Sequence, residues 1–197
     1  MTYKVLLLGC GHKSALMFRP PIVTDEPEIG RLDVNEACQP DLLCDLDSPN
    51  WHARSLTEAG RNSLNHLFYG QIKKGYFHEV HAYEVLEHLG SQGDFYSFFD
   101  TFRNIYDLLV PGGYLCATVP SRYSAWLWGD PGHRRAVLPE SLVFLDQEQY
   151  TKQCGITPMS DYRFCYKGDF KAISGKDDKS TFSFILKAIK PSRIKST

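Results

Sequence analysis

The chain has 197 residues, of which 43% are hydrophobic, and 22 basic against 23 acidic side chains give it a net charge of −1. That length suits one domain, and a chain of this size buries about 70% of its unfolded surface, so it needs no disulfide or metal staple to fold. The charge balance gives no global signal for a nucleic-acid or membrane partner, and no segment approaches the roughly 18–20 apolar residues of a membrane span.

In chain order, Tyr3–Leu8 is a continuous apolar run closed by Gly9-Cys10-Gly11, the pattern of a strand buried on both faces. Its short apolar stretch reads as a strand rather than as a signal peptide. Residues 14–29 hold Pro20, Pro21 and Pro27, which argues against a long regular helix there. Arg31–Val34 and Asp41–Leu46 are the second and third strand candidates, and residues 52–68 carry Leu56, Ala59, Leu64, Leu67 and Phe68 at helical spacing. Phe77–Tyr83 is a fourth strand. Asp94 then caps the clearest helix, whose stripe is Phe95, Phe98, Phe99, Phe102, Ile105, Tyr106 and Leu109, ending at Pro111-Gly112-Gly113. Tyr114–Val119 is a fifth strand, and residues 139–154 read as a helix opened by Pro139 and stopped by Gly155. Asp161–Ile173, bent near Gly168, and Thr181–Ile189 close the sheet, so residues 1–190 read as one domain with a loose tail over 191–197. Strands alternating with helices, then a β-pair, describe an α/β sheet with a mostly parallel core.

Four motifs carry chemistry. The glycine turn at Gly9 and Gly11 lets backbone approach a ligand where no Cβ intervenes; the alternative is a plain strand-to-loop turn. Asp33, 24 positions after Gly9, sits where a carboxylate accepts from ribose hydroxyls, or is an exposed turn residue. Asp45 could accept from an adenine amino group, or cap the segment near Ser48. Glu84, Glu87 and His88 cluster straight after the fourth strand, and the simpler reading of the last two is a solvated helix start. The six cysteines (Cys10, Cys38, Cys44, Cys116, Cys154, Cys165) form no CxxC pair, which fits free thiols in a reducing, cytoplasmic setting.

Taken together, GCG after the first strand, Asp33, Asp45, the VLEHL run at 85–89 and LVPGGYLCATVP at 109–120 resemble the ordered motif set of the class I S-adenosylmethionine-dependent methyltransferases, over roughly residues 3–155. DPGHRRAVLPESLVFL at 130–145 is similar to the segment after the fifth strand in that family. The resemblance implies a Rossmann-like three-layer sandwich, with a seven-stranded, mostly parallel sheet of order 3-2-1-4-5-7-6 and strand seven antiparallel. It also implies S-adenosylmethionine as cofactor. Gly9, Cys10 and Gly11 would lie against its methionine part, Asp33 on the ribose, Val34 by the adenine, Asp45 and Leu46 at the adenine edge, and Tyr83 beneath the sulfonium. The sequence departs from the family at Leu7, where an acid is common, at Lys13, in place of a third glycine, and in the proline-rich stretch that replaces a first helix.

The activity so implied is methyl transfer to a small molecule, a sugar or a nucleoside-like group. General-base candidates are His133 first, then Glu84 and His88, because an imidazole titrates near neutral pH; the plain alternative for His133 is a loop-pinning histidine. Tyr123, Trp126 and Trp128 could wall a substrate or be buried under a loop, and Arg134 with Arg135 hints at an anionic substrate group. The competing reading is a catalytically silent relative that binds the cofactor or a protein partner. A nicotinamide enzyme is disfavoured because Ser14 stands where the third glycine of GxGxxG should fall, and no metal site is expected from Cys10, His12, His78, His81 and His88.

Overall fold

A computed structural model of the chain describes residues 2–21, 23–48, 51 and 72–194. The helix expected over 52–68 lies outside these residues. Seven strands form one sheet: β1 (Tyr3–Leu8), β2 (Pro27–Asp33), β3 (Leu42–Leu43), β4 (Phe77–Tyr83), β5 (Leu109–Pro120), β6 (Phe170–Asp177) and β7 (Thr181–Ala188). Their order is β3-β2-β1-β4-β5-β7-β6. β1 to β5 pair in parallel, and β7 runs antiparallel to both β5 and β6, as the sequence led us to expect.

Several boundaries differ from expectation for identifiable reasons. β2 starts at Pro27 rather than Arg31, since a proline at a strand's first residue forfeits no ladder bond. β3 shrinks to two residues. Asp41 is spent on β2, where its carboxylate accepts from the Arg31 N–H at 2.8 Å, and the chain turns at Asp45, whose carbonyl accepts from Ser48 N–H. β5 begins at Leu109, before the PGG run, because Leu109 already pairs with Phe77. The helix α1 (Phe95–Leu108) therefore ends one residue earlier than its apolar stripe, while Asp94 caps it as expected by accepting from Ser97 N–H at 3.1 Å.

A short α2 (Trp126–Gly129) follows β5, and the helix expected over 139–154 is split into α3 (Pro139–Val143) and α4 (Gln147–Gln153). The break falls at Asp146, whose carboxylate caps α4 by accepting from the Glu148 and Gln149 amides at 3.1 and 3.2 Å. Residues 161–168, expected as strand, are turns that lay Tyr162 against Phe95 and Tyr166 against Phe99, with ring centroids 4.7 and 4.9 Å apart. Such aromatic pairing offsets the lost ladder bonds. The segment after Pro191 is anchored at Arg193, whose guanidinium meets Asp169 and Asp146 at 2.8 Å and Glu148 at 2.6 Å.

The two sheet faces are covered differently. Leu6, Leu8, Val80, Ala82, Leu115 and Ala117 face a helical layer in which Phe99, Phe102, Ile105 and Leu108 of α1 are buried. Leu7, Tyr83, Tyr114, Cys116 and Ile185 point the other way. Among the described residues they are met by an irregular strap, residues 12–21 and 23–26, through Phe18 and Val23. The strap is clasped to the sheet by Arg19, which donates to Glu79 at 2.8 and 3.1 Å and to the carbonyl of Asp25 at 2.6 Å. No helix is long and apolar enough to cross a membrane among the described residues.

Candidate cofactor and acceptor site

At the carboxyl edge of β1, Gly9 and Gly11 both have left-handed backbone, at φ +53° and +51°. Gly9 has no alternative, since a Cβ there would lie 2.4 Å from Cγ2 of Val85. A Cβ on Gly11 would meet nothing within 4 Å, so ligand can approach that backbone. Asp33, at the end of β2, is almost buried and ties the edge together: one carboxylate oxygen accepts from Gly11 N–H at 2.7 Å and the other from Asn35 N–H at 2.8 Å. Each oxygen keeps a further lone pair for a hydroxyl. Val34 beside it is 69% exposed, an apolar side chain left at the sheet edge.

Asp45 is exposed on the same edge, one strand over; the preceding residue, Cys44, donates its N–H to the Asp33 carbonyl at 2.8 Å. Leu46 turns inward instead and is part of the core, its carbonyl accepting from the Trp51 indole at 2.9 Å. The Cys10 side chain is also buried, with Leu7 and Tyr83, and burial pushes its thiol up to about 11. Tyr83 is 2% exposed: its hydroxyl accepts from Met17 N–H at 3.1 Å, donates toward the Phe18 carbonyl at 3.3 Å, and contacts Nδ1 of His81. The strap thus covers Tyr83.

The second half of the site lies past β4 and β5. Glu84 is exposed and holds a left-handed φ of +55°, which is strained for a residue with a Cβ. After it, a single turn (Leu86–His88) buries Glu87 completely, against the reading of a solvated helix start. Both Glu87 carboxylate oxygens lack a hydrogen-bond partner among the described residues. Burial first, then the neighbouring Glu84 and Asp130 carboxylates, push its pKa up to about 8.

Nε2 of His133 lies 3.8 Å from Glu87 and 3.9 Å from Asp130, and its Nδ1 faces the Leu127 carbonyl at 3.2 Å. His88 stacks edge-on against it at 4.7 Å. Glu84, His88 and His133 are therefore brought together around Glu87, which the sequence placed in this cluster but read as a solvated helix start. The signal in the sequence was the apolar residues around it, Val85, Leu86 and Leu89. His133, with 7% of its side chain exposed, holds the 127–133 loop as well as facing this cluster.

Neither neighbouring arginine forms an anion fork. Arg134 pairs with Asp47, and Arg135 is buried, donating to the carbonyls of Ser91 and Asp94 and to Ser97 Oγ at 2.9, 3.0 and 2.7 Å. Tyr123, Trp126 and Trp128 are not buried under the loop but 60–70% exposed above it.

No family model matches the sequence, and no curated protein matches it. Solved structures do. A SAM dependent methyltransferase from Archaeoglobus fulgidus superposes with a TM-score of 0.50 at 14% identity over 94% of this chain and 86% of its own. An S-adenosylmethionine dependent methyltransferase from Mesorhizobium loti gives 0.51 at 12% identity, covering 94% and 91%. The 4+2 cyclase SpnF gives 0.52 at 13% identity, covering 95% and 75%. With its strand order, these likenesses establish that the chain has the class I S-adenosylmethionine-dependent methyltransferase fold. The open backbone at Gly11, the exposed Val34 and the acceptor carboxylates Asp33 and Asp45 lie along one sheet edge and have the chemistry a nucleoside needs, while Val85 packs against Gly9.

Proposed function

We propose that the chain is a cytoplasmic S-adenosylmethionine-dependent methyltransferase acting on a small-molecule acceptor, with its function carried by one domain over residues 1–190. The supporting observation is the placement of Gly11, Asp33 and Asp45 on neighbouring strand ends, beside the carboxyl–imidazole cluster at the ends of β4 and β5. Gly9, Cys10 and Gly11 would offer backbone to the methionine part. Asp33 would take the ribose hydroxyls, Val34 would lie on the adenine, and Asp45 would accept from its amino group. Leu46 and Tyr83 would act from behind, as core residues that set the edge's shape.

The cofactor supplies a methyl group on a sulfonium, so the protein's part is orientation and exclusion of water. Holding acceptor and donor in line contributes about 7–11 kcal/mol. A base that removes the acceptor's proton adds about 10²–10⁴-fold. Glu84 is the exposed carboxylate at that place, and His88 and His133 form the imidazole pair behind it. Exposed Tyr123, Trp126 and Trp128 would provide an apolar wall for the acceptor. The six free cysteines support a reducing compartment.

A second reading, a catalytically silent relative, is favoured by Val85 over Gly9 and by the strap that covers Tyr83. Calorimetric titration with S-adenosylmethionine and S-adenosylhomocysteine, followed by a methyl-donor consumption assay, separates the readings. Binding of both that weakens in Asp33→Ala, with turnover, supports the enzyme. Binding without turnover across acceptor classes selects the silent relative, and no binding of either ligand sinks the cofactor reading.

A further inference from the structure

Glu87 is a fully buried carboxyl group with no hydrogen-bond partner on either oxygen among the described residues. Such a group is costly unless something compensates it. The neighbouring arginines do not. Arg134 and Arg135 donate their backbone N–H groups to the Glu87 carbonyl at 2.8 and 3.1 Å, but their guanidinium groups turn away, to Asp47 and to Ser91, Asp94 and Ser97. What faces the carboxyl group is two imidazoles and two more carboxylates, Glu84 and Asp130.

The imidazoles are oriented alike. Nδ1 of His88 lies 3.0 Å from the Gly132 carbonyl, and Nδ1 of His133 lies 3.2 Å from the Leu127 carbonyl. A carbonyl only accepts, so each neutral ring carries its proton on Nδ1 and its lone pair on Nε2. This is how backbone carbonyls prepare a histidine for a metal ion. A carboxylate oxygen of Glu87 and a ring nitrogen from each of His88 and His133 all lie within 4.8 Å of one another. Two donors each about 2.1 Å from one ion stand at most about 4.2 Å apart. The Glu87–His133 pair, at 3.8 Å, already meets that limit, and the His88 nitrogen lies within 4.8 Å of both.

The other cluster with ligand spacing, Glu79, His81 and Cys116, lacks this need. Its carboxylate is already bonded to Arg19 and to His81, at 2.8 and 2.6 Å.

We propose that Glu87, His88 and His133 bind one divalent transition-metal ion, with Asp130 completing the set. Two imidazoles with carboxylates favour zinc, cobalt or a similar ion over magnesium or calcium, which prefer all-oxygen shells. Half-exposed Asp130 and exposed Glu84 leave the ion open toward the loop surface, where it can take an oxygen or nitrogen of the acceptor. That last role rests on the methyltransfer reading; the binding itself does not.

The test is titration of the metal-stripped full chain with Co²⁺, followed by visible absorption, with Zn²⁺ as competitor. One equivalent should bind with the ligand-field bands of nitrogen and oxygen donors and no thiolate charge-transfer band. Glu87→Gln should weaken it by at least about 100-fold, since even outer partners of a metal ligand are worth 10–100-fold. Cys116→Ser should bind as the native chain does. If Glu87→Gln does not fold, His88→Gln, at a half-exposed position, carries the same expectation. No stoichiometric uptake, a thiolate band, undiminished binding in Glu87→Gln or His88→Gln, or weakened binding in Cys116→Ser overturns the proposal. Titrating the same preparation with S-adenosylhomocysteine keeps the two readings apart: nucleoside binding without metal refutes only the metal site, and metal binding without nucleoside refutes only the cofactor reading.

Discussion

Glu79 and Glu87 are eight positions apart and equally inaccessible to solvent, yet their surroundings are opposite. Glu79 lies on the strap side of the sheet, where burial alone would raise its pKa; bonds from His81 and Arg19 outweigh that and lower it. Glu87 lies in the turn after β4 with no such donors, and its pKa is pushed up to about 8. Burial does not decide the charge of a carboxyl group; the donors around it do. The contrast follows from the cover. An irregular strap brings backbone N–H and C=O groups down onto the sheet, and these need polar partners, so Arg19, Glu79, His81 and Tyr83 are recruited there. Past β4 no arginine guanidinium among the described residues reaches Glu87; it faces His133, His88 and the carboxylates of Glu84 and Asp130 instead.

The sharpest break in this comparison is a pH titration of stability in chelator. Glu87 holds its proton when folded and loses it when unfolded between pH 4.5 and about 8, so stability falls as pH rises through that window. Glu87→Gln should remove the fall, a relative gain on the order of 3–5 kcal/mol at pH 8 read from urea midpoints; an unchanged slope refutes the unpaired state. The strap side has the opposite sign. Glu79 and His81 both have lowered pKa values, so their contribution is present above their ordinary values of 4.5 and 6.5 and is lost as pH falls below them.

Next in size, Arg19→Ala should cost about 3–5 kcal/mol, because it strands the Glu79 charge, and the loss should shrink when Glu79→Gln is added. Additive costs in that double mutant would show that the clasp is not the reason. Tyr83→Phe removes the acceptor for Met17 N–H and should cost about 1–3 kcal/mol, with faster proteolysis of the strap than of α1. The smallest effect belongs to the helical side, where Ile105→Val should cost about 0.5–1.5 kcal/mol with no change in pH dependence.

What was legible in the chain follows the same division. β1 and α1 were readable because their signal is local: an apolar run closed by glycine, and a phenylalanine stripe behind Asp94. The strap was not, since Arg19 finds Glu79 across sixty positions and no periodicity announces such a pair. β2 was legible only over its second half, from Arg31; its opening at Pro27 was missed, although a proline at a strand's first residue costs it nothing. At the site, Asp33 was legible from its spacing to Gly9, whereas Glu87 read as a solvated residue, because its burial depends on the loop that returns through His133.

The ionic clasp also orders events during synthesis. Arg19 and Phe18 belong to the first tenth or so of the chain, but their partners are on β4 and β5. β1 can pair with β2 early, yet the strap cannot be clasped to the sheet until Glu79 has been made. A ribosome that pauses before this point would display a loose strap with an unmatched arginine, an invitation to chaperones.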